Sequence, residues 1–299
     1  MKRNKRLPQS VALYSALLTV GASFFQVAQA NTKVDPEADR QAMVKYMMDM
    51  HGSNKINGKP ITLDDFSMGA MMFSDDAYQQ WKSVEEFPPY VENIDEGKKL
   101  WNKPFANGKT YNTCAGLNGD IKKVRAMYPY FDDVRGEVIN LDQAINECRV
   151  ANGEKPYGYA GRSKALDDLL TFLADESRGQ KVNVKIDSPG AIEAYKLGEM
   201  VFHTRRGQLN QSCANCHINS ASRKIRSELL SPIVGHATHF PVYRGSRGRI
   251  VTLQDRYEDC MASVRTMPFE SNSKELKALE FYESFMSNGL TLSGPTYRK

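Results

Sequence analysis

Five consecutive residues, Cys213-Ala-Asn-Cys216-His217, form the pattern C-x-x-C-H. Two thiols at this spacing can add to the two vinyl groups of one haem, and the adjacent histidine can bind the haem iron from the proximal side. Thioredoxin-like redox pairs share the cysteine spacing but require a βαβ context, which is absent here. Zinc sites share it too but require a second Cys/His pair at suitable spacing. The pattern therefore predicts one covalently bound c-type haem.

The residue that binds the iron opposite His217 is not fixed by this motif. Ordinary single-haem cytochromes use a downstream methionine, and Met261 and Met267 are available. His236 and His239 also follow the motif, but lone histidines are more often structural hydrogen-bonding residues than ligands. Cys260 is a third possible ligand of the iron.

Cysteine number and composition set broad limits. The chain has 299 residues, 41% hydrophobic and 25% charged, which is typical of a globular protein, and the length suggests about two domains. The number of cysteines is five, so intramolecular disulfides cannot account for every sulfur. With Cys213 and Cys216 assigned to haem, Cys114, Cys148 and Cys260 remain.

The first 30 residues have the order of a secretory signal peptide: basic residues within 2–6, an apolar stretch from Val11, and the cleavage pattern Ala28-Gln-Ala30. We expect cleavage after Ala30 and, in a bacterium, a soluble periplasmic protein; an uncleaved anchor is the alternative. No later segment reaches spanning length without charge, so the mature chain is expected to lack a membrane span. Cleavage removes four basic residues and lowers the formal charge from +5 to +1, which leaves no compositional argument for nucleic-acid binding.

The chain contains an internal repeat. Four blocks recur in the same order at similar offsets: residues 97–101 with 198–202, 111–115 with 213–217, 141–148 with 253–260, and 164–169 with 274–279. The last block in each half has apolar residues at helical spacing. The repeat predicts a mainly α fold with two tandem cytochrome c-like domains, the first without haem. The expected boundaries are an N-terminal extension over 31–85, a haem-free domain over 86–180 and a haem-binding domain over 181–299.

The first copy has lost the haem-binding residues. Tyr111 stands where the first cysteine of the motif should be, and Ala115 stands where the histidine should be. The copy retains Cys114 and Cys148, and Cys148 is the counterpart of Cys260. With no haem between them, the two sulfurs can approach each other, and an oxidising compartment favours a disulfide. Two unpaired buried thiols are the alternative.

Cys260 and Arg256 lie four residues apart in a segment without Pro or Gly, so a helix would place both on one face. A thiolate can bind iron, and a nearby guanidinium or metal lowers a cysteine pKa. The planar guanidinium can also hold a sulfonate-type oxyanion through paired hydrogen bonds. The haem-free copy has Ala144 in place of Arg256. The alternative is a small buried apolar cysteine and a surface arginine.

These residues resemble the SoxA family, the catalytic subunits of the SoxAX cytochromes of bacterial thiosulfate oxidation. The resemblance covers nearly all of the mature chain. It rests on the haem motif at 213–217 and on Ala237-Thr-His-Phe-Pro-Val-Tyr-Arg244, Arg256-Tyr-Glu-Asp-Cys260 and Asn146-Glu-Cys148-Arg149. Many family members carry a second haem in the first domain. The departures at Tyr111 and Ala115 resemble the single-haem form with a disulfide.

The resemblance implies an enzyme, L-cysteine S-thiosulfotransferase. Such an enzyme joins thiosulfate oxidatively to a cysteine of the carrier protein SoxYZ, and electrons pass to the cytochrome subunit SoxX of a heterodimer. Carried over to this chain, Cys213 and Cys216 hold the haem and His217 is the proximal ligand. Cys260 is then the distal ligand and the catalytic sulfur, as a persulfide, and Arg256 orients the anionic substrate.

Two further hypotheses concern the surroundings of this site. Arg244, Arg247 and Arg249 could add a local positive field, or they could belong to a solvated loop. The alternative function is an electron-transfer c-type cytochrome with His/Met ligation and no sulfur chemistry. The methionine-rich extension over 31–85 could cover the first domain or contact a partner subunit.

Overall fold

The computed structural model describes residues 34–225 and 228–299, and most of its regular structure is helical. The signal peptide predicted over residues 1–30 lies outside the described residues. No helix in those two stretches is long and apolar enough to cross a membrane. The α-helices are, in chain order, α1 Pro36–His51, α2 Asp75–Glu85, α3 Val91–Asn102, α4 Ile121–Val124, α5 Leu141–Ala151, α6 Lys164–Glu176, α7 Pro189–His203, α8 Cys213–His217, α9 Leu253–Ser263 and α10 Lys274–Met286.

The strands are short and pair locally, apart from the last. They are β1 Lys55–Ile56, β2 Lys59–Pro60, β3 Tyr130–Asp132, β4 Glu137–Ile139, β5 Lys224–Ile225, β6 Glu228–Leu229, β7 Val242–Arg244, β8 Arg249–Val251 and β9 Thr296–Arg298. Each pair in sequence order forms an antiparallel hairpin, and β9 adds to β7 in parallel. Helices in the 3₁₀ conformation cover Leu63–Phe73, Tyr111–Thr113, Arg125–Met127 and Ala237–His239.

Each half of the protein is built on one helix pair, and both pairs cross at a glycine. A Cβ atom placed on Gly97 in α3 would lie 2.1 Å from the carbonyl oxygen of Asp168 in α6. A Cβ atom on Gly198 in α7 would lie 2.1 Å from the carbonyl oxygen of Ala278 in α10. No side chain fits at that distance, so glycine is required where the two backbones touch. The repeat seen in the sequence is therefore a repeat of one helix crossing.

The hairpin-plus-helix unit that follows also occurs twice. Hairpin β3–β4 leads into α5, and hairpin β7–β8 leads into α9. Both helices begin at a capping side chain: Asn140 accepts from the backbone N–H of Gln143 at 3.0 Å, and Thr252 accepts from that of Asp255 at 3.2 Å. Such caps satisfy N–H groups that the first helical turn leaves unbonded. The first turn of α9, the helix that carries Arg256 and Cys260, is therefore fixed by the capping side chain of Thr252.

The N-terminal extension packs on the second half. Asp64 accepts hydrogen bonds from Lys181 and from both the backbone and the hydroxyl of Thr291. The Thr238 hydroxyl donates to the backbone carbonyl of Ser67 at 3.0 Å, next to the loop behind the haem motif. The backbone N–H of Tyr297 donates to Glu85 at 2.7 Å. The extension therefore packs on the second half, whereas the sequence suggested the first domain or a partner subunit as its contact.

Buried polar contacts join the two halves. Arg125 donates to the backbone carbonyl of Ala237 at 3.2 Å, and Lys277 donates to Glu137 at 2.5 Å. Asp167 lies in this interface and is only 6% exposed. Burial raises its pKa to about 7, although Arg249 opposes the rise. The folded protein thus holds a proton here that the unfolded chain releases at lower pH.

The stability contribution of Asp167 therefore falls as pH rises from about 4 to about 7, because the native state binds more protons than the unfolded chain in that window. We expect Asp167→Asn to raise the free energy of unfolding at pH 8 by up to roughly 4 kcal/mol and to leave it nearly unchanged at pH 4. Thermal melts at both pH values measure the difference. The exposed Asp187→Asn variant is the control, and equal effects of Asp167→Asn at the two pH values would contradict the assignment.

Candidate active site

The haem motif forms the short helix α8, which is fixed at its start by reciprocal hydrogen bonds. The Ser212 hydroxyl accepts from the backbone N–H of Asn215 at 3.3 Å, and the Asn215 side chain accepts from the backbone N–H of Ser212 at 2.9 Å. This capping box forces Cys213 and Cys216 into one helical turn. Both thiols are half-buried and unbonded, whereas the two cysteines of the other half are joined.

His217 is buried and oriented by a backbone group. Its Nδ1 atom lies 2.8 Å from the carbonyl oxygen of Ser231, so Nδ1 carries the proton and donates it. Burial holds the pKa of His217 well below its usual range, so the ring is neutral. A neutral imidazole that donates from Nδ1 keeps the lone pair of Nε2 for a metal. Because the acceptor is a backbone carbonyl, no side-chain pattern in the sequence points to Ser231.

The donor set of this helix fits a c-type haem. Two free thiols at the required spacing and one neutral histidine with an open Nε2 are the groups that such a haem needs. A zinc site would need further Cys or His ligands, and no group of three or more potential ligands for a metal ion is found among the described residues.

Cys260 and Arg256 lie on α9 and act electrostatically on the motif. Burial raises the pKa of the Cys260 thiol, and the Arg256 guanidinium opposes that rise. Burial and the neighbouring Cys260 raise the pKa of the Cys216 thiol, and here too the Arg256 guanidinium acts in the opposite direction. The structure thus brings Arg256, Cys260 and the haem motif into one site, where Arg256 stabilises thiolate but burial outweighs it.

Arg256 differs from the other three arginines of this region. Each of those three is held by an acidic residue: Arg244 by Glu228 at 2.7 Å, Arg247 by Asp259 at 2.7 Å, and Arg249 by Asp255 at 2.5 Å. No ion pair with an acidic residue in 34–225 or 228–299 involves Arg256. Pairing neutralises most of the positive field that the sequence suggested for Arg244, Arg247 and Arg249, so of these four arginines Arg256 is the one left for an anion that enters the site.

The other possible iron ligands occupy different positions. Met267 is 89% exposed, and Met261 is buried about 100° around α9 from Cys260. His239 lies 3.1 Å through Nδ1 from the carbonyl of Gly235. His236 packs beside His217 with ring centroids 4.4 Å apart. Two imidazoles that bound one iron from opposite sides would be separated by two metal–nitrogen bonds of about 2 Å each plus the ring radii, so His217 and His236 are too close to do so.

In the first half, aromatic rings surround Tyr111, the residue that stands in place of the first cysteine of the haem motif. Tyr111 is 2% exposed and stacks on Trp101 with centroids 5.5 Å apart, while Phe105 meets its edge at 4.9 Å. The predicted disulfide between Cys114 and Cys148 is present. Tyr111 is thus a core residue of the first half, a role that the sequence did not reveal.

Comparison with known proteins fits this arrangement. A family model described as "SoxA/TsdA, cytochrome c domain" matches residues 96–182 and 197–292. The chain is 48% identical over 239 residues to the L-cysteine S-thiosulfotransferase subunit SoxA of Chlorobaculum thiosulfatiphilum, covering 80% of this chain and 82% of the relative. It is 44% identical over 283 residues to the same subunit of Chlorobaculum tepidum, covering 94% and 97%. The chain belongs to the SoxA family.

A solved structure agrees with this membership. The crystal structure of SoxXA from P. pantotrophus aligns with a TM-score of 0.67 at 31% identity, over 74% of this chain and 84% of that chain. The predicted family is confirmed, as is the mainly α fold class with two cytochrome c-like domains. The prediction that this SoxA chain carries haem is confirmed, since the matched family model describes a cytochrome c domain. The number of haems stays a prediction.

The disulfide should stabilise the first half. Cys114 and Cys148 are separated by 34 residues, and closing such a loop restricts the unfolded chain by about 3–4 kcal/mol. We expect the double variant Cys114→Ala/Cys148→Ala to lose that much free energy of unfolding in urea titrations while its haem absorbance stays that of the parent. Each single variant, which leaves one thiol, is the control. An unchanged urea midpoint would show that the aromatic packing alone supports this half.

Proposed function

We propose that this SoxA chain is an L-cysteine S-thiosulfotransferase subunit that joins thiosulfate to a cysteine of the SoxYZ carrier through Cys260. The names of its curated relatives confirm the enzyme class. The observation that carries the rest of the proposal is the unpaired Arg256, one helical turn from a free cysteine and beside the haem motif. The alternative of an electron-transfer cytochrome without sulfur chemistry is not supported, because these relatives are transferases.

The proposal includes a single haem. Cys213 and Cys216 would bind it covalently, with His217 and Cys260 as iron ligands. The first half supports a count of one, because Tyr111 and Ala115 replace the first cysteine and the histidine of the motif and Cys114 is bound in a disulfide. When bound, the haem supplies a one-electron acceptor beside the reacting sulfur. The buried, oriented imidazole of His217 supports this assignment.

The reaction balances with two electrons and one proton. The S–H bond of the carrier cysteine breaks, its sulfur forms a bond with the outer sulfur of thiosulfate, and one proton and two electrons leave. In the proposed enzyme, Cys260 holds a resident persulfide whose outer sulfur is present before and after each turnover, so it does not enter this balance. Arg256 would hold the sulfonate oxygens with paired, charge-assisted hydrogen bonds and so fix which sulfur of thiosulfate faces Cys260.

The proposed setting is the periplasm, with SoxX as the electron-accepting partner. The structural relative is itself a SoxXA, which supports a SoxX subunit for this chain. The disulfide supports an oxidising compartment, because disulfides persist there and are rare in the cytosol. The signal sequence over residues 1–30 supplies the route of export.

Cys260→Ser tests the catalytic sulfur. The serine hydroxyl cannot form a persulfide, so we expect conjugation of thiosulfate to the carrier to fall to background. Mass spectrometry of the carrier detects the added thiosulfonate, and the intact mass of the variant verifies that one haem is still attached. Substantial conjugation by a haem-loaded Cys260→Ser protein would end the proposal for this residue.

Arg256→Ala tests the anion site. Loss of a charge-assisted hydrogen-bonding group costs about 1.5–3 kcal/mol, so kcat/KM for thiosulfate should fall by roughly 10- to 150-fold. Arg256→Lys keeps the charge without the planar fork and should recover part of the loss. Arg247→Ala is the matched control, since Asp259 already neutralises that arginine. Equal losses in the Arg256 and Arg247 variants would refute a specific role.

A further inference from the structure

Behind the proximal histidine lies a buried polar cluster that the proposed reaction does not use. The ring of His236 packs on that of His217, and its Nδ1 atom lies 2.8 Å from Oε2 of Glu283. The hydroxyl of Tyr257 donates to the same carboxylate oxygen at 2.8 Å. His236, Tyr257 and Glu283 are all less than 5% exposed. We call these three residues the proximal triad.

Burying such groups is costly, so the proximal triad needs a reason. A carboxylate and an imidazole removed from water lose hydration, and hydrogen bonds between them restore only part of that free energy. Apolar side chains of similar volume at the same positions would carry no such desolvation penalty. The fold itself provides the comparison, because each position has a counterpart in the first half.

The haem-free half has apolar residues at all three corresponding positions. The counterparts follow from the matched elements of the two halves. The 3₁₀ helix Ala237–His239, which follows His236, matches the 3₁₀ helix Arg125–Met127, while α9 matches α5 and α10 matches α6. They are Val124 for His236, Ile145 for Tyr257 and Leu173 for Glu283, each 0% exposed in the core of that half. The counterpart of His217 there is Ala115. The same fold therefore packs without polar groups where no proximal histidine is present.

We propose that the proximal triad positions the imidazole of His217 and places one carboxylate behind it, which favours the ferric state of the haem. This inference rests on the haem attachment in the proposed function. A negative charge in a buried, weakly polarisable region stabilises the more positive oxidation state of a nearby iron. His236 transmits the position of Glu283 to His217 through ring contact, while Ser231 fixes the other edge of the same ring. The three are positioning residues, because they are proposed to act through His217.

Glu283→Gln tests the charge in the haem-loaded protein. The amide keeps the shape of the side chain but removes the negative charge. We therefore expect the equilibrium constant for haem reduction to increase at least tenfold, which raises the midpoint potential by at least 59 mV for one electron. Spectroelectrochemical titration measures this potential. Glu280→Gln is the matched control, since Glu280 is buried one turn earlier on α10 but accepts from Gln254 and Asn140. Equal shifts in both variants, or no shift in Glu283→Gln, would overturn the proposal.

A transplant variant tests positioning separately from folding. His236→Val/Tyr257→Ile/Glu283→Leu installs the side chains that the first half already packs, so we expect it to fold and to retain haem. Its ferric EPR signal should broaden and shift from that of the parent, because the His217 ring loses its support. An unchanged EPR signal and potential would show that the triad is packing alone. If neither this variant nor Glu283→Gln folds around haem, the triad serves the fold and the proposal is overturned.

These outcomes are distinct from failure of the proposed function. A parent protein without covalent haem would refute the haem assignment before any variant is compared. A parent that carries haem and transfers sulfur, with unchanged potentials in the Glu283→Gln variant, would refute only the role of the proximal triad.

Discussion

The backbone contact between α7 and α10 at Gly198 governs the placement of the site. The two helices touch without an intervening side chain, and the loop after α7 leads into the haem motif. Burial and the Glu283 carboxylate of α10 both raise the pKa of Cys213, which places the start of the motif near that carboxylate. α9 packs against α10 through Tyr257 and Gln254, so its Arg256 and Cys260 are positioned relative to that motif. The equivalent contact at Gly97 persists in the first half, which lacks the first cysteine and the histidine of the motif. The helix pair is therefore a property of the chain, and the haem pocket is built upon it.

The two halves show two ways to complete that pocket. At the positions that correspond to the haem motif and Cys260, the first half has a stacked tyrosine and a disulfide, groups that are stable without a cofactor. The second half keeps free thiols, a neutral histidine and buried polar residues, a set that is costly to bury unless something binds there. Comparing the two halves therefore distinguishes the residues that the fold requires from those that the haem site requires. Arg256, which is Ala144 in the first half, belongs to the second group.

Sequence alone predicted the parts that depend on residue type and order. The haem motif, the repeat and the disulfide between Cys114 and Cys148 were accessible because each follows from spacing or from comparison of the two halves. The ion pairs of Arg244, Arg247 and Arg249 were not accessible, since their partners lie on other elements and only the fold brings them together. The same limit applies to the extension, whose contacts with the second half are tertiary, and to the backbone carbonyl of Ser231. The domain boundaries at 85 and 180 remain predictions.

The central claim is that Cys260 is an iron ligand and the reacting sulfur, with Arg256 as its anion-binding neighbour. EPR and optical spectra of the purified ferric protein test the ligand most directly. The account predicts a low-spin signal typical of thiolate ligation and no methionine–iron charge-transfer band. A clear methionine–iron band would contradict it, because the iron would then be ligated by Met261 or Met267 and Cys260 would lie outside the chemistry.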